Sequence, residues 1–119
     1  MSGTPIRLIV RMQVKPGKVE DFKKYVEGYA LKVKESEPAT LAYECFVHEG
    51  GAEVYQNEVY ADSPSFLTHL ATFQAQLDSA LEVCSIEDIR VLGDPDELAT
   101  EKLSALGAVI YPRHTGFAR

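Results

Sequence analysis

Five apolar residues at every second position, Ile6, Leu8, Val10, Met12 and Val14, oblige the start of this chain to run as a β-strand that buries one face. Arg7, Ile9, Arg11 and Gln13 fall between them, so the opposite face is mixed. Lys15-Pro16-Gly17 stops the strand, because Pro cannot donate to a ladder and Gly permits a tight turn. The period then changes. Val19, Phe22, Val26, Tyr29 and Val33 recur at three- and four-residue intervals within residues 18–36, one stripe of an amphipathic helix that Pro38 ends. Residues 40–48 and 53–60 are rich in aromatic and β-branched side chains and flank Gly50-Gly51, the pattern of a hairpin whose loop needs positive φ. Leu41, Tyr43, Cys45 and Val47 share one face of its first strand.

Asp62-Ser63-Pro64 reads as a helix start, with Ser63 as N-cap and Pro64 in the first helical position. The stripe Phe66, Leu70, Phe73, Leu77 and Leu81 predicts one continuous helix after it. Residues 85–92 form a fourth strand, although Ile86, Ile89 and Val91 do not alternate cleanly. Asp94-Pro95-Asp96-Glu97 predicts a further helix capped by Asp94, with Glu97 completing a capping box and Gly107 ending it. Residues 108–119 are a basic arm with a brief extended segment at Val109 and Tyr111.

The order β-α-β-β-α-β predicts an α+β, ferredoxin-like fold: a four-stranded antiparallel sheet with two helices on one face, followed by a C-terminal helix and arm. Residues 1–119 make one domain, with its core in 6–92 and the helix and arm in 94–119. The bare sheet face, with Ile9 beside a Tyr- and Val-rich hairpin, is too apolar to stay wet. A homodimer in which two sheets meet face to face is the expected solution, with a cavity wherever facing side chains leave space.

The net charge of −6 disfavours nucleic acid as a partner. It is unevenly spread. Residues 1–34 carry eight Lys/Arg against three Asp/Glu, whereas residues 35–101 carry one Arg against fifteen acids, a split that suits self-association. No apolar run is long enough to cross a membrane, and Met1-Ser2-Gly3-Thr4-Pro5 lacks the features of a leader, so a cytoplasmic protein is expected. Cys45 and Cys84 sit in apolar stretches without zinc-ligand spacing and read as buried free thiols.

Val14-Lys15-Pro16-Gly17, Glu37-Pro38, Tyr43-Glu44, Glu58-Val59-Tyr60 and His69-Leu70 occur in an order and spacing that resembles the antibiotic biosynthesis monooxygenase family of dimeric α/β barrels. The resemblance covers residues 6–92, and Ala39 replaces the Gly that usually follows Glu-Pro. It implies two subunits packing their sheets into a barrel, each with a pocket. It also implies either cofactor-free oxygenation of phenols or quinols, or haem degradation. The haem-degrading branch uses a Trp in the second helix and an axial His beyond it. Here His69 and Ser79 fall at about those positions and the chain has no Trp, so haem degradation is not expected. No metal and no cofactor is expected.

Cofactor-free oxygenation needs an aromatic-lined pocket, a base and a group that stabilises the substrate anion. His69 is the candidate base, since imidazole is the side chain that ordinarily titrates near physiological pH. Arg11 is the candidate anion stabiliser, and Asn57, Tyr43 and Tyr55 are candidates to orient substrate oxygens. Each has a structural alternative. His69 can line the helix–sheet border, Arg11 can pair with Glu44 or Glu58, the tyrosines can be ordinary strand residues, and Glu58 can be a sheet or interface partner. The expected function is therefore a cofactor-independent monooxygenase for a small aromatic, quinol or polyketide-like compound. The alternatives are a non-catalytic binding or stress-associated dimer with the same pocket, and an isomerase or cyclase using the same groups. The arm, with Tyr111, Arg113, Phe117 and Arg119, is expected to reach the partner subunit.

Overall fold

A computed structural model describes residues 4–119. Residues 1–3, part of the segment read as lacking a leader, lie outside it. The strands are β1 (Ile6–Val14), β2 (Thr40–Val47), β3 (Glu53–Tyr60), β4 (Cys84–Leu92) and β5 (Val109–Tyr111). The helices are α1 (Val19–Ser36), α2 (Ser63–Gln74), α3 (Leu77–Val83) and α4 (Glu97–Ala105). The sheet order is β2-β3-β1-β4-β5, antiparallel except for the parallel pair β4–β5. The ferredoxin-like α+β arrangement is thus present, with a mixed sheet of five strands rather than four.

The fifth strand has a local cause. Gly107 adopts φ +81 just past α4, a conformation that a side chain would strain, and the chain reverses there. Ile110 then pairs with Val91 at the sheet edge and packs against the core, while Gly93 N–H donates to Tyr111 O at 3.0 Å. A helical crossover is the usual way to bring a strand in parallel.

Period two in β1 places Ile6, Leu8, Val10, Met12 and Val14 in the core, against Phe22 and Val33 of α1 and Phe66 of α2. The imperfect alternation of β4 is a β-bulge. Arg11 pairs with Asp88 and Met12 with Ile86, so Glu87 is an extra residue that returns Ile86, Ile89 and Val91 to one face. A second register shift lies between Thr40 and Ala42, and Leu41 leaves the face of Tyr43, Cys45 and Val47 to stand 58% exposed.

Three helix details differ from the sequence expectation. Asp62, not Ser63, caps α2: its extended backbone lets Oδ1 accept from Ser65 N at 2.9 Å and from Ser65 Oγ. Those bonds hold the Asp62 carboxyl below the usual aspartate range. Asp96, not Asp94, caps α4 by accepting from Ala99 N at 2.9 Å, and its own N–H donates to Ser63 Oγ at 2.9 Å. The displaced Ser63 thus ties the start of α4 to α2. Finally, the expected single helix is split. Gln76 N–H donates to Phe73 O at 2.8 Å, a tight turn that rotates α3 so that Ala80 and Val83 face inward and Leu81 does not.

Candidate active site

His69 reaches the interior from the middle of α2, and Glu37 meets it from the C-terminal end of α1. Glu37 N–H donates to Val33 O at 2.8 Å, fixing the residue where Pro38 forbids further helix. The His69 Nδ1–Glu37 Oε1 separation is 2.9 Å, and Thr40 Oγ1 donates to the same oxygen at 2.9 Å. Both side chains are only 6% exposed. With Nδ1–H donating to the carboxylate, Nε2 keeps its lone pair, and it has no hydrogen-bond partner among the described residues. Rings of Tyr60 at 5.3 Å, Tyr43 at 5.4 Å, Tyr29 at 6.1 Å and Phe73 at 6.2 Å surround the imidazole.

His69 borders a cavity of about 90 Å³ between the helices and the sheet. Its wall is mostly apolar, supplied by β1, α1, α2 and β4, with a polar strip from β3. In that strip Glu58 accepts from Gln56 Nε2 at 2.9 Å and from Tyr60 Oη at 2.5 Å. No cation pairs with Glu58 among the described residues. Tyr25 and Tyr29 stack across the other side, rings parallel within 6° and 6.0 Å apart. Their hydroxyls, like Gln56 Oε1 and Glu37 Oε2, are buried and find no hydrogen-bond partner among the described residues. Buried polar atoms without partners are uncommon, and three of these four, on Tyr25, Tyr29 and Gln56, belong to residues that line the cavity.

Burial raises the pKa of Tyr25, Tyr29, Tyr43 and Tyr60 above the ordinary tyrosine value, and the negative charge of Glu58 adds to the effect at the last three. These hydroxyls therefore stay protonated and act as hydrogen-bond donors. Burial also pushes the Cys45 thiol up to about 11 and raises that of Cys84, so neither is a nucleophile near neutral pH.

Of the residues singled out in the sequence, the structure brings together His69 and Tyr43. Arg11, Asn57 and Tyr55 lie on the opposite, open face of the sheet, because their strand positions have the other parity. There Arg7 Nη1 donates to Asn57 Oδ1 at 2.7 Å, and Asn57 Nδ2 donates to Glu44 Oε1 at 2.7 Å. Arg11 pairs with neither Glu44 nor Glu58: the first holds Asn57 and the second faces the cavity. Among the described residues Arg11 has no ion pair. Tyr55 is 47% exposed.

Glu37, Gln56, Tyr25 and Tyr29 are not singled out as site candidates in the sequence, and Glu58, weighed there as a sheet or interface partner, faces the cavity. For Gln56 and Glu58 a signal existed, since they share parity with buried Val54 and Tyr60. Tyr29 stood in the helical stripe but reads there as core. Nothing local in sequence says that Glu37 meets a histidine thirty-two residues away.

The fold and this cavity define a small ferredoxin-like protein with a buried His69–Glu37 pair beside an aromatic-walled cavity. The chain belongs to the antibiotic biosynthesis monooxygenase family, whose model matches residues 5–76. It is similar over its whole length to the crystal structure of MupZ from Pseudomonas fluorescens, with a TM-score of 0.86, 23% identity, and 98% of this chain and 96% of that chain covered. SnoaB from Streptomyces nogalater, a cofactor-independent oxygenase, gives a TM-score of 0.64 at 14% identity, covering 81% of this chain and 98% of that one. A conserved protein from Methanosarcina mazei gives 0.63 at 21%, covering 74% and 90%. No curated protein matches the sequence. At these identities the solved structures share the fold. Among the described residues, no group of three or more His, Cys, Asp or Glu is arranged to hold a metal ion, and no helix is long and apolar enough to cross a membrane.

Proposed function

We propose that the protein is a cofactor-independent monooxygenase of small phenols, quinols or polyketide-like aromatics, working in the cytoplasm as a homodimer. The observation that carries this reading is His69, paired with Glu37, at the wall of a mostly apolar, aromatic cavity. Family membership and a fold shared with a cofactor-independent oxygenase support it.

His69 Nε2 takes the phenolic proton, and Glu37 holds the resulting imidazolium in place. The Tyr25 and Tyr29 hydroxyls donate to the substrate oxygen as it becomes anionic. This is the role first expected of Arg11, and neutral donors fixed in a low-dielectric site can fill it. The electron-rich anion passes an electron to oxygen, the two radicals combine at a ring carbon bearing hydrogen, and the imidazolium returns its proton to the resulting peroxide. Loss of water from the hydroperoxide leaves a carbonyl: one oxygen atom stays in the product and the other leaves as water. The open sheet face, with Ile9, Phe46, Tyr55 and Val59 around the Arg7–Asn57–Glu44 network, is where the second subunit docks. The exposed arm, in which Phe117 is 79% exposed, extends toward that subunit.

An oxygen electrode with a panel of hydroquinones, without added flavin or metal, tests the reading. Protein-dependent uptake with at least one member is expected. Binding of every member with no uptake by any would make the protein a carrier of aromatics instead.

A further inference from the structure

The cavity of about 90 Å³ is smaller than the roughly 150 Å³ apolar cavity known to accept benzene, so a ring of the proposed class requires it to widen. Most of the wall is poorly placed to yield. The lining residues of β1 and the β3 strip are buried in the sheet, and His69 and Glu37 hold one another. Leu106 differs from the rest. At 48% exposure it is the most solvent-exposed of the lining residues, and it is the single one contributed from beyond β4. It therefore stands where the cavity meets solvent.

Its backbone is firmly held. Leu106 is the C-cap of α4, and its N–H donates to Leu103 O at 3.1 Å. Ala108 N–H returns to the same carbonyl at 3.0 Å, and Leu103 itself is fully buried. The side chain is thus a movable apolar group on a fixed post. The post lies beyond β4 and outside residues 5–76, which carry the family match.

We propose that Leu106 determines the size of ligand that the cavity admits: its isobutyl group shifts slightly to admit a single ring and must swing fully into solvent for a larger one. The inference rests on the proposed function only in taking the ligand to be a phenol-like aromatic.

Isothermal titration with phenol and with 1-naphthol, under argon, reads the effect without catalysis. In Leu106→Ala, 1-naphthol should tighten by about tenfold or more while phenol changes by less than about threefold. In Leu106→Trp, both should weaken by about tenfold or more. Because the side chain is half in solvent, unchanged melting temperatures are expected for both variants and would show that the fold is intact. An unchanged ratio of the two affinities in Leu106→Ala overturns the inference, and so does absence of binding by either probe to the wild type. Oxygen uptake is scored separately. A shifted ratio with no uptake keeps the size filter and removes the oxygenase, whereas uptake with an unshifted ratio does the reverse.

Discussion

His69→Gln lowers hydroquinone-dependent oxygen uptake by about 10²- to 10⁴-fold, the usual share of one positioned general base. Gln is the informative replacement. Its side-chain amide can still donate to Glu37 Oε1, which His69 approaches at 2.9 Å, so the buried carboxylate keeps a partner. Truncation to Ala would leave Thr40 Oγ1 as the carboxyl's remaining side-chain donor, and the loss of one hydrogen-bond partner by a buried polar group typically costs about 1–3 kcal/mol. With Gln the loss should fall on turnover, while affinity for the hydroquinone, read by titration, stays within about threefold. An unchanged rate would leave His69 as an aromatic packing residue among Tyr29, Tyr43, Tyr60 and Phe73.

The second large effect concerns stability. Leu103→Ala should destabilise the protein by about 2–5 kcal/mol, as for other fully buried leucines. Leu103 and Ala99 are both completely buried, and they seat α4 against the core that Ile6, Val91 and Phe66 share. Ser63 Oγ, accepting from Asp96 N, fastens the other end of the helix. If α4 and β5 were a loose addition, the substitution would cost well under 1 kcal/mol, within the range of ordinary surface changes. Urea unfolding, followed by far-ultraviolet circular dichroism, distinguishes these outcomes. A single transition whose midpoint falls while its slope is unchanged would place the C-terminal segment inside the cooperative unit.

The fold was legible because its elements rest on periodicity. The alternation of β1 and the three-four spacing of α1 are one-dimensional signals of which face is buried, and they survive folding unchanged. Where one residue breaks the period, the pattern misleads. Glu87 in the β4 bulge looks like poor alternation, and the turn at Gln76 converts an apparently continuous stripe into two helices facing differently. The caps moved by one or two positions because Asp62, Ser63, Asp94 and Asp96 are all competent to cap. Which of them does so depends on contacts between α2 and α4 that the sequence does not encode locally.

The site was legible in part. His69 is conspicuous as an imidazole beside an apolar stripe, and chemistry alone nominates it. Arg11 is equally conspicuous as a cation, yet parity decides its place. It is one residue away from Val10 and Met12 in β1, and that single step puts it through the sheet to the open face. The same parity carries Glu58 inward. A carboxylate in a strand is ordinarily a surface residue, and only its alternation with Val54 and Tyr60 shows that it is buried. Glu37 shows the limit of sequence reading, because its partner is brought to it by the packing of α1 against α2 and not by any spacing.

The central claim is that the cavity removes a proton from a bound phenol and holds the anion. The most direct measurement is the absorption spectrum of 4-nitrophenol titrated with the protein at a pH where the free compound is mostly neutral. The bound compound should show the long-wavelength phenolate band in the wild type. In His69→Gln it should bind with comparable affinity and remain neutral. A wild-type complex in which the bound nitrophenol stays neutral would contradict the account.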